Sequence, residues 1–169
     1  MTTVPALRST DALALDVHRA LLDLVRVYQF RDRDRVCCYD VSVSQSHALD
    51  RLRRLGPLTL NELAESLYIE KSTASRLIDG LEAKGYASRA RNEDDRRTLV
   101  IRITRSGERL AARIEEDMIR AEASLLEGFS ADEQGVIARV LARLAAAASA
   151  RVSFSQGVGT WSSAGSGSV

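Results

Sequence analysis

Long apolar runs, prolines, cysteines and aromatic side chains are all scarce in this chain of 169 residues. No apolar stretch approaches the roughly 20 residues needed to span a bilayer. The first ten residues lack both a basic n-region and an apolar core, so no signal peptide is expected and the chain is read as soluble and cytoplasmic. Two cysteines, adjacent at Cys37 and Cys38, do not make a disulfide framework. Pro5 and Pro57 are the only prolines, so little interrupts a helix. Aromatic residues make up 5%, which leaves Leu, Ile, Val and Ala to build the core. A net charge of +1 carries no global signal of a nucleic-acid partner.

What is present favours helix, since Ala, Leu, Arg and Glu have high intrinsic helix propensity. Leu13, Val17, Leu21, Leu24 and Tyr28 recur at spacings of three and four, one stripe of an amphipathic first helix. The charge run from Arg31 to Arg35 is read as its solvated end. A second helix is expected from about Ser44 to Leu55, with Ala48, Leu52 and Leu55 on one face, and Gly56-Pro57 stops it. Leu110, Ile114, Met118, Ala121 and Leu125 repeat the three-and-four spacing farther on. Ser130-x-x-Glu133 is a capping box that opens a final helix, which buries Ile137, Val140, Leu141 and Leu144. Residues 152–169 carry no charge, and ten of these eighteen are Gly or Ser, the composition of a flexible tail. The first and last long helices carry more apolar surface than a small central segment could cover. The economical solution is that the terminal helices of two chains pack together.

The centre is the most informative part. Thr59-x-x-Glu62 is a second capping box and starts a short helix from Leu60 to about Leu67. A turn at Tyr68-Ile69-Glu70 leads into another helix from about Lys71 to Ala83, closed by Gly85. Apolar residues at Leu63, Ala64, Leu67, Ile69, Ala74 and Leu77 let two short helices cross steeply over one small core, as a helix-turn-helix requires. Bulk at Ala64 or Ala74 would push them apart. The outward face of the second helix reads Lys71, Ser72, Thr73, Ser75, Arg76 and Asp79. Small hydroxyl residues at a helix N-terminus allow close approach to a groove floor, and Arg76 is long enough to reach a guanine edge or a phosphate.

After Gly85 the periodicity shortens. Tyr86 to Arg91 and Thr98 to Ile103 read as two short strands, the latter rich in β-branched residues. Between them Asn92-Glu93-Asp94-Asp95-Arg96-Arg97 forms a polar hairpin tip, so the pair reads as a wing. An arginine on such a tip is attracted by the negative potential of a minor groove. Asp95, repelled by phosphate, is suited to orient an arginine by a charge-assisted hydrogen bond. From Lys71 to Arg105 nine basic residues face five acidic ones, a local charge of +4, while acids collect just beyond, from Glu108 to Glu127. A basic centre of this kind supplies the phosphate contacts from which most DNA affinity comes.

These residues resemble the MarR family of bacterial regulators. The matching segments are Gly56 to Ala64, Lys71 to Tyr86, the wing Asp95-Arg96-Arg97, and Ile103-Thr104-x-x-Gly107; with the flanking helices the resemblance covers roughly residues 12–148. It implies a mostly α fold with a small β-wing, a winged helix-turn-helix at about 42–104, and dimerisation helices at 11–36 and 105–150. A flexible N-terminus (1–10) and tail (151–169) flank this 11–150 domain. It further implies a homodimer on palindromic double-stranded DNA, and usually repression relieved by a small ligand or an oxidant. Carried over by residue, the DNA-binding set is Lys71, Ser72, Thr73, Ser75 and Arg76 on the recognition helix, with Asp95, Arg96 and Arg97 on the wing. Glu70 stands where a better N-cap would be expected, and its carboxylate adds repulsion near phosphate.

Two other classes fit less well. An enzyme would start from Cys37 or Cys38 with His18 or His47 as base, but nothing fixes an orienting third group. A helical protein-interaction module would use the basic centre to hold an acidic partner, and gives no purpose to a hairpin with paired arginines. No cofactor, metal or membrane partner is expected, since no His or third Cys lies near the pair to complete a zinc set. Cys37 and Cys38 are either small buried hydrophobes or a thiol sensor. Arg33 and Arg35 lie close in sequence and would raise the thiolate fraction.

Overall fold

A computed structural model describes residues 9–36, 38–92 and 96–151. Among these the chain forms α1 (Ser9–Val36), α2 (Val43–Leu55), α3 (Leu60–Ser66), α4 (Lys71–Ala83), β1 (Ala87–Arg91), β2 (Leu99–Ile103), α5 (Arg105–Leu126) and α6 (Ala131–Ser149). This is the expected mostly helical architecture with one small two-stranded sheet. The segments read as a flexible start and a flexible tail lie, for residues 1–8 and 152–169, outside the described residues. Two compact units make up the chain, one ending at Glu122 and one beginning at Ala123.

In the first unit the helix ends are specified locally. Thr59 and Glu62 close the expected capping box on α3: the Glu62 N–H donates to Thr59 Oγ1 at 3.2 Å and the Thr59 N–H to Glu62 Oε2 at 2.7 Å. A further box, Ser42 with Gln45, starts α2 one residue before the expected Ser44. Gly56 (φ 81°) receives the end of α2. The turn after α3 is a Schellman motif: the Tyr68 N–H donates to Glu65 O at 3.1 Å and the Ile69 N–H to Ala64 O at 3.0 Å. It places Tyr68 at φ 54°, a left-handed conformation that costs a non-glycine residue about 1–2 kcal/mol. The same motif ends α4, with Gly85 (φ 73°) in the left-handed position at no such cost.

β1 and β2 pair antiparallel from Ala87 opposite Ile103 to Arg91 opposite Leu99. Leu58 adds an isolated bridge to Ile101, its N–H donating to Ile101 O at 3.2 Å and its carbonyl accepting in return at 2.7 Å. The segment after Pro57 therefore covers one edge of the wing's root, a long-range pairing for which no local sequence rule gives a signal. At the other side Thr104 Oγ1 and Ser106 Oγ both donate to Gly85 O, at 2.7 and 2.8 Å, and the Thr104 N–H donates to Tyr86 O at 3.1 Å. Gly107 opens the first turn of α5 directly against this knot.

The core of this unit contains Val36, Leu49, Leu52, Leu63, Ile78, Leu81, Ile101 and Leu110. Ala64 and Ala74 are fully buried, as the crossing of two short helices requires. Three expectations are corrected. On α2 the buried face is Ala48, Leu49 and Leu52, while Leu55 is exposed at the helix end. On α4 Ile78 and Leu81 carry the core and Leu77 is only half-buried. Nor is the charge run of α1 simply solvated. The helix continues through it to Val36, and Arg31 is half-buried with its Nη2 2.8 Å from Glu122 Oε1 and its guanidinium 3.9 Å over the Tyr28 ring.

The α1 stripe is largely uncovered in a single chain, with Leu13, Val17 and Leu24 exposed. In the second unit α6 starts at the Ser130 capping box, and Gln134 Nε2 donates to the carbonyls of Leu126 and Phe129. It buries no side chain: Val140, Leu141 and Leu144, expected inside, are 54%, 46% and 37% exposed. A helix can bury a stripe only against a second surface, and one chain leaves that face open.

A Cβ at Gly107 would overlap the Tyr86 carbonyl oxygen and crowd Ile103 Cγ1. Backbone cannot swing aside, so Gly107→Ala should cost about 1–3 kcal/mol by overpacking. A Cβ at Gly80 meets only the movable end of Gln45, and the gain in helix propensity offsets that, so Gly80→Ala should change stability by less than about 1 kcal/mol. Urea unfolding of the two variants measures the contrast.

Candidate nucleic-acid interface

The helix-turn-helix is α3, the Tyr68–Glu70 turn and α4. Burial of Ala74, Ile78 and Leu81 sets the rotation of α4 about its axis, which turns Lys71, Ser72 and Arg76 outward. Thr73 and Ser75 are half-buried at the edges of that face. Arg76 Nη2 lies 3.4 Å from Thr73 Oγ1, a loose contact that leaves the guanidinium at the surface. Glu70 is the N-cap of α4 and makes no side-chain cap bond; its carbonyl oxygen accepts from the Thr73 N–H at 2.9 Å, and its side chain leaves the N–H groups of Lys71 and Ser72 uncapped. These groups, with the positive end of the helix dipole, suit an oxyanion brought from outside.

On the wing Arg96 and Arg97 are exposed. Asp95, expected to pair with an arginine, lies outside the described residues, as do Glu93 and Asp94. The turn is secured from within: the Asn92 N–H donates to Thr98 O at 2.8 Å and Arg91 Nη1 to Arg96 O at 2.6 Å.

The local charge of +4 overstates what faces a ligand. Arg89 Nη2 lies 2.8 Å from Asp79 Oδ1 and its Nη1 pairs with Glu82. Lys84 Nζ donates to Asp40 O and lies 3.4 Å from Gln45 Oε1. Arg89, Arg91 and Lys84 are thus engaged inside the protein, and Asp79, placed by the sequence on the reading face, is held by Arg89. None of these pairings follows a local spacing rule, so sequence alone offered no signal for them.

The link between α1 and α2 carries the cysteines. Cys37 lies outside the described residues, and Cys38 is exposed in the turn that follows Val36. Its neighbours are tied down. The Tyr39 hydroxyl donates to Asp117 of α5, a bond that pushes the phenol above its ordinary pKa. The Tyr86 hydroxyl donates to Asp40 Oδ1 at 3.0 Å with the same effect. Between α1, α2 and α5 lies a cavity of about 220 Å³, with Val36, Val43, Ile114 and Met118 as apolar lining and Arg31 and His47 at its polar edge. His18 is exposed on α1.

The model of the MarR family matches residues 41–99, the span from the start of α2 into β2. Over this span the chain is similar to the MarR family of winged helix-turn-helix transcription regulators. A solved structure of a MarR family protein from Bacillus stearothermophilus superposes with a TM-score of 0.76 at 29% identity, covering 85% of this chain and 99% of that one. Among curated proteins, the uncharacterized HTH-type transcriptional regulator YsmB of Bacillus subtilis (strain 168) is 24% identical over 129 residues, which are 76% of this chain and 88% of YsmB. YwoH, another such regulator of that organism, is 34% identical over 91 residues, 54% of this chain and 66% of YwoH. MarR family proteins are transcription regulators and in general not enzymes.

Glu62 is held below its ordinary carboxylate pKa, first by the Thr59 N–H and then by the Thr59 hydroxyl. A depressed pKa means that this stabilisation is complete above the unfolded-state value of about 4.3 and is lost as pH falls through the lower folded value. Glu62→Gln should therefore flatten the loss of stability between about pH 5 and 3, which acid unfolding followed by circular dichroism would detect. An unchanged pH profile would remove the capping carboxylate from the acid response of the helix-turn-helix.

Proposed function

We propose that this protein acts in the cytoplasm as a homodimeric repressor of the MarR family that binds a palindromic double-stranded DNA operator. The observation that carries the reading is the division of charge around α4. Lys71, Ser72 and Arg76 in its first two turns face outward at a helix start that the Glu70 side chain does not cap, while neighbouring cations are tied up internally. On this reading Lys71, Ser72, Thr73, Ser75 and Arg76 enter the major groove, and Asp95, Arg96 and Arg97 serve the wing. The uncovered stripes of α1 and α6 are the surfaces on which two chains join. No described helix is long and apolar enough to cross a membrane, so these stripes do not serve as membrane spans.

Release from the operator is assigned to a small ligand in the cavity between α1, α2 and α5, whose apolar lining and charged edge suit a small amphipathic molecule. The exposed Cys38 offers a second route through thiol modification, because it sits in the link between α1 and the DNA-binding helices.

The dimer is tested by sedimentation at micromolar concentration, where a monomer would refute it. The half-sites of its operator should lie about one DNA turn apart. DNA binding is tested by titration across a salt series. Arg97→Ala should weaken binding to most sequences alike and lower the log–log salt slope by about 0.9 for each phosphate that is no longer neutralised. Arg76→Ala should cost about 1–3 kcal/mol at particular base pairs. An Arg97→Ala protein with unaltered affinity and slope would overturn the wing assignment.

A further inference from the structure

A two-stranded hairpin is marginally stable by itself, so the angle of the wing against α4 must be set by contacts at its root. Some are apolar, through Ala87, Val100 and Ile101, all buried. Others are the backbone bridge from Leu58 to Ile101 and the bonds of Thr104 and Ser106 to Gly85 and Tyr86; the charged contact between hairpin and α4 is Arg89, the middle residue of β1. Its backbone N–H donates to Glu82 Oε1 at 2.7 Å, its Nη1 donates to Glu82 Oε2, and its Nη2 donates to Asp79 Oδ1 at 2.8 Å. Asp79 and Glu82 stand three residues apart on α4, the spacing that puts two side chains on one helix face. Glu82 therefore holds the backbone and the side chain of the same wing residue, and Asp79 fixes the second arm of the guanidinium fork. Such two-pronged, charge-assisted bonding fixes orientation as well as distance. Glu82 and Arg89 keep only about 30% of their side-chain surface exposed, so water screens the pair less than a fully solvated one. Farther out along the hairpin, Arg96 and Arg97 are exposed.

We propose that Arg89 is a positioning residue for DNA binding: with Glu82 and Asp79 it locks the wing to the recognition helix, so that both meet DNA as one rigid surface, and it makes no DNA contact itself. The proposal rests on the DNA-binding reading above. Its physical basis is that two contact sites held rigidly in register bind without the ordering cost of bringing the second site into place. Glu82 supplies a sign test. Removing an acid beside a DNA-binding helix ordinarily strengthens binding by lessening repulsion with phosphate, whereas removing half of the lock weakens it.

The experiment uses the full chain and a duplex that the wild-type protein selects from a random pool, with affinity measured at fixed salt. A wild-type protein that selects and retains no duplex overturns the DNA-binding reading itself. Given a selected duplex, Arg89→Ala and Glu82→Ala should each weaken binding on the order of tenfold, the scale of ordering a few residues on association. The double variant should be no weaker than either single one. Arg97→Ala should cost much less in the Arg89→Ala background than in the wild type, because the wing it serves is already loose. Arg76→Ala should cost the same factor in both backgrounds to within about twofold, as expected of independent sites. The proposal is overturned if Glu82→Ala tightens binding or leaves it unchanged, or if Arg89 and Arg97 act additively. Should Arg89→Ala fail to fold, the Glu82→Ala protein decides alone, by its sign and by its coupling to Arg97→Ala.

Discussion

The carbonyl groups of Gly85 and Tyr86 are the point on which the DNA-binding unit turns. Gly85 O accepts from the hydroxyls of Thr104 and Ser106, and Tyr86 O accepts from the Thr104 N–H. One short stretch of backbone thereby joins the end of α4, the start of β1, the end of β2 and the first turn of α5. Two glycines make this possible for different reasons. Gly85 adopts a left-handed conformation that ends α4 without strain. Gly107 lacks the Cβ that would otherwise strike the Tyr86 carbonyl. Without this knot the wing would have no fixed origin, and the recognition helix no fixed exit.

Charge around the knot is divided between holding the fold and facing outward. Arg89, Arg91 and Lys84 bind carboxylates or backbone carbonyls within the unit. Lys71, Arg76 and Arg96 reach the surface. The division follows from position. Arg89 in the middle of β1 and Lys84 at the C-terminal end of α4 find partners on adjacent elements, and Arg91 bonds the hairpin's own turn, whereas the side chains of Lys71 and Arg76 on α4 and of Arg96 on the hairpin are exposed. A similar logic ties the α1–α2 link, where Tyr39 reaches Asp117 and Asp40 receives Tyr86. The exposed Cys38 thus sits beside two long-range hydrogen bonds, one to α5 and one to the residue that follows the recognition helix.

The two ends of the chain follow another rule. α1 and α6 present apolar side chains that a single chain does not cover. Burial of such surface is worth roughly 25 cal/mol per Å² removed from water, so an open stripe of leucines and valines is a standing drive towards association. The proposed dimer answers that drive.

What the sequence determined by itself was whatever depends on short-range geometry. Periodicity located the helices because side chains three and four apart share a face, and the Thr59 and Ser130 boxes marked helix starts because capping bonds span three residues. The outward face of α4 was legible for the same reason, down to the exposure of Lys71, Ser72 and Arg76. Local rules failed where partners are distant along the chain. Leu49 rather than Leu55 faces the core, and Ile78 and Leu81 outweigh Leu77, because neighbouring elements choose which edge of an apolar stripe is covered. Arg31 left the solvent for Glu122, ninety-one residues away. Arg89 and Asp79, each counted by the sequence as surface charge, met only because the chain reverses at Gly85 and brings β1 back along α4. Helix and turn chemistry is encoded within a few residues; which charges remain available to a partner is decided only when the tertiary fold has matched the others.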